Sequence, residues 1–514
     1  MSESTPNPAG EAARPVNRWG VGTLSVLQVA LVALTLIALN FLAARHFTQI
    51  DLSRDRDYTL SPATTRYLAS EALSSRAKPV KWIMAFRRST PFYERVRVLA
   101  EDYARLSHGK IELEVVDSLR SPDRTQQVMA AYELSLVRDL IIIDARSGES
   151  AAVTTNPAGT HELNPNVTLA IADDMMIHTT DPQGQRRTSG FQGEDVLTAS
   201  LVQAIEGHPR KMLFLADKSK VDAEGENSPW KALESTLRFQ NIELKGVNLS
   251  GLRDIPEDAE GVTLVAPKYD LTDDELGVLE RYWGRPRAAL LVLLEPGNTL
   301  PKLRAFLRSN GVTPQYDRVI TKEKDRILTS ARGTFTYSID FTKDLAGQTS
   351  VFEGANSSLE VREGADDLLS RRIYAYGLFQ VADGFWGETK FGEGPASFNA
   401  SEDRAAPLFL AASVTRGAAT DDRLAAETSR MIIISNTDFL KPENQRAENI
   451  DFLASSVNWL IGREALAGIG PRSLRTYKLP ILEAQVSFID RVNLFFIPAF
   501  LGLVGATIWS SRRA

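Results

Sequence analysis

The sequence predicts an α/β protein. Two α/β domains, the second doubly wound with a β-rich insertion, are expected between an N-terminal and a C-terminal transmembrane helix. Three observations predict this. The stretch Trp19 to Ala44 holds no Asp, Glu, Lys or Arg, and as a helix it would be roughly 39 Å long, enough for a bilayer core of about 30 Å. A second uncharged stretch runs from Val492 to Ser511 and is followed by Arg512 and Arg513. Between them, short apolar runs alternate with amphipathic helical patterns, which is how strands joined by helices read.

The first stretch competes with a secretory signal, whose apolar region is about 7–15 residues and ends in a small-residue cleavage site. Asn40-Phe41-Leu42-Ala43-Ala44 is a poor site of that kind, so a retained anchor over 19–45 is expected after a polar tail at 1–18. Pro498 and the glycines of the last stretch weaken it as a soluble helix but are tolerated in membranes. The expected second span is 491–511, with a linker at 466–490. Arg512 and Arg513 favour a cytoplasmic C-terminal end at 512–514. Two spans then put both termini in the cytoplasm and the body outside it.

The body reads in order. Ser61 is a helix N-cap with Pro62 at the first helical position. A strand at 79–86, an amphipathic helix at 92–106, a strand at 111–116, a helix at 122–132 and a buried strand at 140–143 imply a sheet with at least some parallel strands. Short strands and loops fill 149–193, and a helix at 194–206 closes the first domain, 51–208. The second domain, 209–465, opens with a strand at 211–216 and a helix at 230–239. Strands at 242–247 and 262–266 follow, then a helix at 272–283 whose first turn carries three acids. A central strand at 288–294 and a helix at 300–309, stopped by Asn310-Gly311, come next. From about 320 to 407 period-2 runs mark the β-rich insertion. Strands at 408–414 and 431–434 return to the sheet, and a helix at 450–461 ends the body.

Composition narrows the function. Hydrophobic content of 43% and charged content of 24% are those of a globular chain, and the net charge of −6 argues against a nucleic-acid-binding body. The absence of Cys removes disulfides, thiolate metal sites and Cys nucleophiles. Five dispersed His residues offer no H-x-x-x-H pair. There is no phosphate-binding G-x-x-x-x-G-K-[ST] loop, no G-x-S-x-G elbow and no H-E-x-x-H. No cofactor and no metal are expected. The adjacent acids Asp173-Asp174, Asp273-Asp274, Asp366-Asp367 and Asp421-Asp422 fit surface or capping roles.

Doubly wound sheets bind ligands at the carboxyl ends of their strands. Asp217, Glu295, Asn436 and Asp438 fall at such ends and could converge on one acidic crevice. The competing expectation is that they form turns and cap helices. Trp386, with Phe379, Phe385 and Phe391, either presents a stacking surface or pins a long loop to the core.

Several stretches, in order, resemble the GldG-like auxiliary subunits of ABC-type transport systems, known from gliding motility. They are Tyr58-Thr59-Leu60-Ser61-Pro62-Ala63-Thr64, Tyr103-Ala104-Arg105-Leu106-Ser107 with Gly109-Lys110-Ile111, Ile255-Pro256-Glu257-Asp258-Ala259 with Val265-Ala266-Pro267-Lys268-Tyr269-Asp270-Leu271-Thr272, Thr437-Asp438-Phe439-Leu440, and Val457-Asn458-Trp459-Leu460-Ile461-Gly462-Arg463-Glu464. The resemblance implies a bacterial inner-membrane protein with a periplasmic body. It implies permease and ATPase partners on separate chains and no catalytic site. Asp217-Lys218-Ser219-Lys220 departs from the family's G-H-G-E-like turn, which lowers any activity assigned there. Gln28 and Asn40 on the first helix are the expected contacts to the permease. The alternatives are a membrane-tethered glycan-binding module using Trp386, or a hydrolase using Asp217, Glu295 or Asp438 as carboxylates.

Overall fold

The computed structural model describes residues 18–45, 59–219, 229–417 and 428–463, apart from 91, 118, 137, 149, 156–160, 181–185, 324–325 and 395, together with positions 494, 498 and 499. The tail at 1–17, Asp421-Asp422, the linker at 466–490 and all but three positions of the second expected span lie outside the described residues. The chain divides into two compact units, Met1–Thr59 and Leu60–Ala514.

In the first unit, α1 (Arg18–Arg45) is a 28-residue helix with no ionisable side chain between its terminal arginines. Its described large apolar side chains, from Leu24 to Leu42, are all exposed, Leu34 and Ile37 by 70% each. Counted over described residues alone, no helix is long and apolar enough to cross a membrane; the longest unbroken run of α1 with described side chains is 26–42.

The second unit begins with a cap. Ser61 Oγ accepts from the Thr64 amide at 3.1 Å and starts α2 (Pro62–Ala69), which leads into α3 (Glu71–Ser74). Then follow β1 (Val80–Ala85), α4 (Tyr93–Leu106), β2 (Ile111–Val116), α5 (Pro122–Tyr132) and β3 (Leu140–Asp144). After β4 (Val153–Thr155), β5 (His161–Leu163), β6 (Val167–Ile171), β7 (Met176–Thr180) and β8 (Arg186–Phe191) comes α6 (Gly193–Glu206). The sheet order is β2-β1-β3-β6. Only β1 and β2 are parallel, and β3 runs antiparallel to both neighbours. All five β3 residues are buried, because helices and loops cover both faces of a central strand.

The larger sheet contains β9 (Arg210–Leu215), α7 (Pro229–Phe239), β10 (Ile242–Val247), β11 (Gly261–Val265), α8 (Asp273–Gly284), β12 (Ala289–Leu293) and α9 (Pro301–Ser309) in chain order. The Thr272 hydroxyl and the Glu275 side chain form a reciprocal capping box at the start of α8. Then come β13 (Val312–Pro314), β14 (Arg318–Glu323), β15 (Arg326–Leu328), β16 (Ala331–Phe335), β17 (Thr349–Phe352), β18 (Leu359–Val361), α10 (Asp366–Leu369), β19 (Ile373–Val381) and β20 (Trp386–Glu388). The body closes with β21 (Phe409–Arg416), β22 (Ser429–Ile434) and α11 (Ala447–Leu460).

Five parallel strands run β10-β9-β11-β12-β22. In chain order this is 2-1-3-4-5, one of the two common doubly wound arrangements. The sheet then continues antiparallel through β21, β19, β16 and β17. The expected β-rich insertion is therefore mostly not a separate body: β16, β17 and β19 extend the main sheet, and only β14, β15 and β20 form a small sheet of their own. Alternate side chains feed two cores, Met212 and Phe214 on one face and Leu213 and Leu215 on the other. The first core also receives α7 and α11 through Leu233, Leu237, Phe452 and Val457, and the second receives α8 and α9 through Leu279, Trp283, Phe306 and Leu307.

Candidate functional site

Among the described residues, Asp217, Asn436 and Asp438 at the carboxyl ends of the parallel strands are engaged by the protein's own groups. Asp217, just past β9, accepts from the Leu249 and Ser250 amides at 2.9 and 3.0 Å and so caps the short turn after β10. Burial pushes this carboxyl up, but the two amides outweigh it and hold it below the usual carboxylate range. Lys218 lies 2.6 Å from Glu275, both side chains well covered. Ser219 bridges to Pro267 and its hydroxyl donates to the Val265 carbonyl at 2.5 Å. The switch point between β9 and β11 is thus occupied by the protein's own groups.

Asn436, past β22, is fully buried. Its amide nitrogen donates to the Glu353 and Ala355 carbonyls at 3.0 and 3.1 Å and to Asn356 Oδ1 at 2.8 Å, while its own Oδ1 accepts from the Phe439 amide at 2.9 Å. Asp438 grips the same loop, accepting from the Ala355 amide at 2.9 Å, and pairs with Lys441 at 2.5 Å. A Cβ on Gly354 would sit 2.1 Å from the Asp438 carboxylate, and its φ of +82° is left-handed. Glu295, past the neighbouring β12, lines a cavity of about 30 Å³ beside Asn298, Arg304 and Tyr316, a volume suited to water rather than to a sugar. Asn436, Asp438 and Glu295 therefore lie at adjoining strand ends. Asp217 stands three strands away from Asp438, roughly 14 Å at the backbone, wider than the 5–9.5 Å or so that acid/base carboxylate pairs use. Asp217 caps a turn, and Asn436 and Asp438 hold the loop at 353–356.

Trp386 is half-buried at the start of β20 and its indole N–H donates to Glu388 at 3.2 Å. Phe379 and Phe385 belong to the main core, and Phe391 lies under the Arg318 guanidinium. Phe391 is 43% exposed, so the four aromatics do not share one environment. Gln28 and Asn40 are exposed on α1; twelve residues apart, they point about 120° away from each other around the helix.

A different place in the molecule is concave. A cleft of about 180 Å³ opens between α6, α7 and α11. From α6 it is lined by Asp195, Thr198, Ala199 and Val202, from α7 by Ala232, Ser235, Thr236 and Phe239, and from α11 by Ile450 and Ala454. Its rim carries Gln192, Gln240 and Gln445. Ser235 and Thr236 both donate to the Ala232 carbonyl, so those hydroxyls serve their own helix. One end of the cleft abuts a buried polar joint. Arg463, 7% exposed, donates to Glu206 at 3.0 and 3.2 Å, to Asn458 Oδ1 at 2.9 Å and to the Gln240 carbonyl, while Asn458 donates to Gln240 Oε1 at 2.6 Å. Sequence reasoning misses this cleft. Its residues recur at helical spacing and read as ordinary core-facing stripes, and only the packing of three helices from distant parts of the chain makes them walls.

No family model and no curated protein matches the chain. Among solved structures it is similar to the N-terminal domain of mmIFT52, at 12% identity and a TM-score of 0.34, covering 49% of this chain and 96% of that one. It is also similar to a thua-like protein from Bacteroides uniformis, at 10% identity and 0.28, covering 49% and 92%. An alpha-L-fucosidase isoenzyme from Paenibacillus thiaminolyticus follows at 11% and 0.29, covering 50% and 33%. Likenesses this distant carry no argument about function.

Proposed function

We propose that this chain is a non-catalytic accessory subunit of an ABC-type transport system, anchored in a bacterial inner membrane with its body in the periplasm and both termini in the cytoplasm. The observation that carries the reading is α1. Twelve large apolar side chains between Leu24 and Leu42 are exposed on one uncharged helix, a surface suited to lipid and to a neighbouring membrane helix. The absence of a nucleotide-binding loop from the sequence assigns ATP hydrolysis to a partner chain. The order of motifs resembling GldG-like subunits supports the same assignment. The strand-end carboxylates Asp217 and Asp438 are engaged in backbone and lysine contacts, which favours a binding subunit over a carboxylate hydrolase. The test is purification of the chain from its own membranes in mild detergent. A multi-span permease and an ATPase should accompany it in fixed ratio; recovery of the chain alone would overturn the proposal.

A further inference from the structure

We infer that the cleft between α6, α7 and α11 is a ligand site for a compact uncharged molecule with a benzene-sized apolar body and one carbonyl-type oxygen, which the Gln240 side-chain amide recognises. The inference deepens the proposed function by naming a ligand class, and rests on it only in placing that ligand within a transport system.

Size sets the body. An apolar cavity of about 150 Å³ accommodates benzene, and this cleft offers about 180 Å³, a ring and a short arm. The walls suit such a body, since Ala199, Val202, Phe239, Ile450 and Ala454 line it. No Lys or Arg lines the cleft, so an entering carboxylate would lose its water without gaining a cation. Asp195, the one acid there, is already engaged within the protein. The ligand is therefore uncharged.

A chain of hydrogen bonds sets the oxygen. A guanidinium can only donate. Arg463 meets one side-chain atom of Asn458 at 2.9 Å, so that atom is Oδ1 and the other is Nδ2. Asn458 Nδ2 donates to Gln240 at 2.6 Å, so the atom it meets is Oε1. The Gln240 amide is thus held one way round, and its Nε2 makes no hydrogen bond among the described residues. Gln240 is only 9% exposed, yet Nε2 is not one of the sealed polar atoms without a partner, so it reaches open space. The open space that Gln240 lines is the cleft. The hydroxyls around it serve the protein: Thr198 lies 2.5 Å from the Tyr103 hydroxyl, and Ser235 and Thr236 donate to the Ala232 carbonyl. A nine-tenths-buried donor at the end of an apolar cleft is complemented by one acceptor on the ligand.

The experiment uses the full chain in lipid nanodiscs and three probes of similar size, acetophenone, ethylbenzene and benzoate, titrated by ligand-observed NMR. Ala199→Phe in the same nanodiscs is the blank: Ala199 is half-buried on the cleft wall, a phenyl ring there fills the site, and binding that this variant removes is binding in the cleft. Acetophenone and ethylbenzene should show such binding and benzoate should not. Gln240→Met keeps the side-chain length and removes the donor, so acetophenone should weaken about fivefold, the net contribution of one hydrogen bond, while ethylbenzene changes by less than about twofold. Gln240→Glu keeps an acceptor for Asn458 and turns the donor into an acceptor, so it should abolish acetophenone binding; circular dichroism confirms that each variant is folded. No cleft binding of acetophenone, benzoate binding as tight as acetophenone, equal losses of acetophenone and ethylbenzene in Gln240→Met, or unchanged acetophenone binding in Gln240→Glu would overturn the inference. None of these outcomes bears on whether a permease and an ATPase co-purify, so the two readings fail separately.

Discussion

Asn436 shows how a residue type that suits a ligand site can be consumed by the fold. Four hydrogen bonds tie it to residues 353–356 and to Phe439. Asn436→Ala leaves buried carbonyls and an amide without partners, at about 1–3 kcal/mol for each group left unsatisfied. We expect a loss of at least 2 kcal/mol or so in denaturant unfolding, and a variant as stable as wild type would contradict this account. Asp317 makes a second prediction. Burial pushes its carboxyl above the usual range, against the Ser358 hydroxyl and amide and the Arg404 guanidinium. A raised folded pKa means that its contribution to stability is fully present below the unfolded value near 3.9 and is lost as pH rises through the folded value. The gap in unfolding free energy between wild type and Asp317→Asn should therefore shift in favour of the variant as pH rises from about 4 to 7. A gap constant over that range would show that Asp317 does not titrate differently on folding.

At the scale of elements, local signals are legible and pairing is not. The Ser61 cap, the Pro-initiated helices at 122–132 and 301–309 and the Thr272–Glu275 box mark helix starts in the sequence because each rests on residues within one turn. The β3 run is equally plain, yet its direction is set by the partner strands, so a β-α-β-α-β pattern does not reveal that it runs antiparallel to β1. For the same reason the sequence marks residues 320–407 as β-rich but not as an extension of the main sheet. The polar joint between α6 and α11 is also non-local. Arg463 reaches Glu206 across 257 residues of chain, and nothing near either residue announces the other. This joint is part of a small network: Arg463→Met leaves Glu206 with Arg210 at 3.2 Å and Asn241 at 2.8 Å but takes a donor from the Gln240 carbonyl and from Asn458, so it should cost about 1–3 kcal/mol, and Arg463→Met with Glu206→Leu should cost less than the sum of the two single losses. Thermal or denaturant unfolding of the single and double variants measures the coupling; additive effects would mean that Arg463 acts through Gln240 and Asn458 instead.

For the whole molecule, the decisive imbalance lies between α1 and the body. A fully buried large apolar side chain gains about 1.5–3 kcal/mol over an exposed one. Twelve such side chains, exposed by 54–72%, leave on the order of 10–20 kcal/mol unrealised in water, as much as the net stability of a whole domain. The second unit buries its own cores in the ordinary way. The proposed placement of α1 in lipid would realise this energy, and the proposal is testable without the second stretch. A chain of residues 1–465 should enter the detergent-rich phase on phase separation, and a chain of residues 58–465 should stay in the aqueous phase; recovery of both in water would remove the anchor and the transport proposal with it. Geometry then sharpens what α1 contacts. Gln28 and Thr35 fall within about 20° of one another around the helix, whereas Asn40 lies about 120° from Gln28. Thr35 already donates to the Leu31 carbonyl at 2.8 Å, which leaves Gln28 as the strongest interhelical donor on its face. One partner helix cannot meet both Gln28 and Asn40. Gln28→Leu and Asn40→Leu should therefore weaken permease co-purification to different degrees, with the double variant showing the sum of the two. Equal losses that do not add would mean one shared contact, and unchanged assembly in both would reduce α1 to a tether.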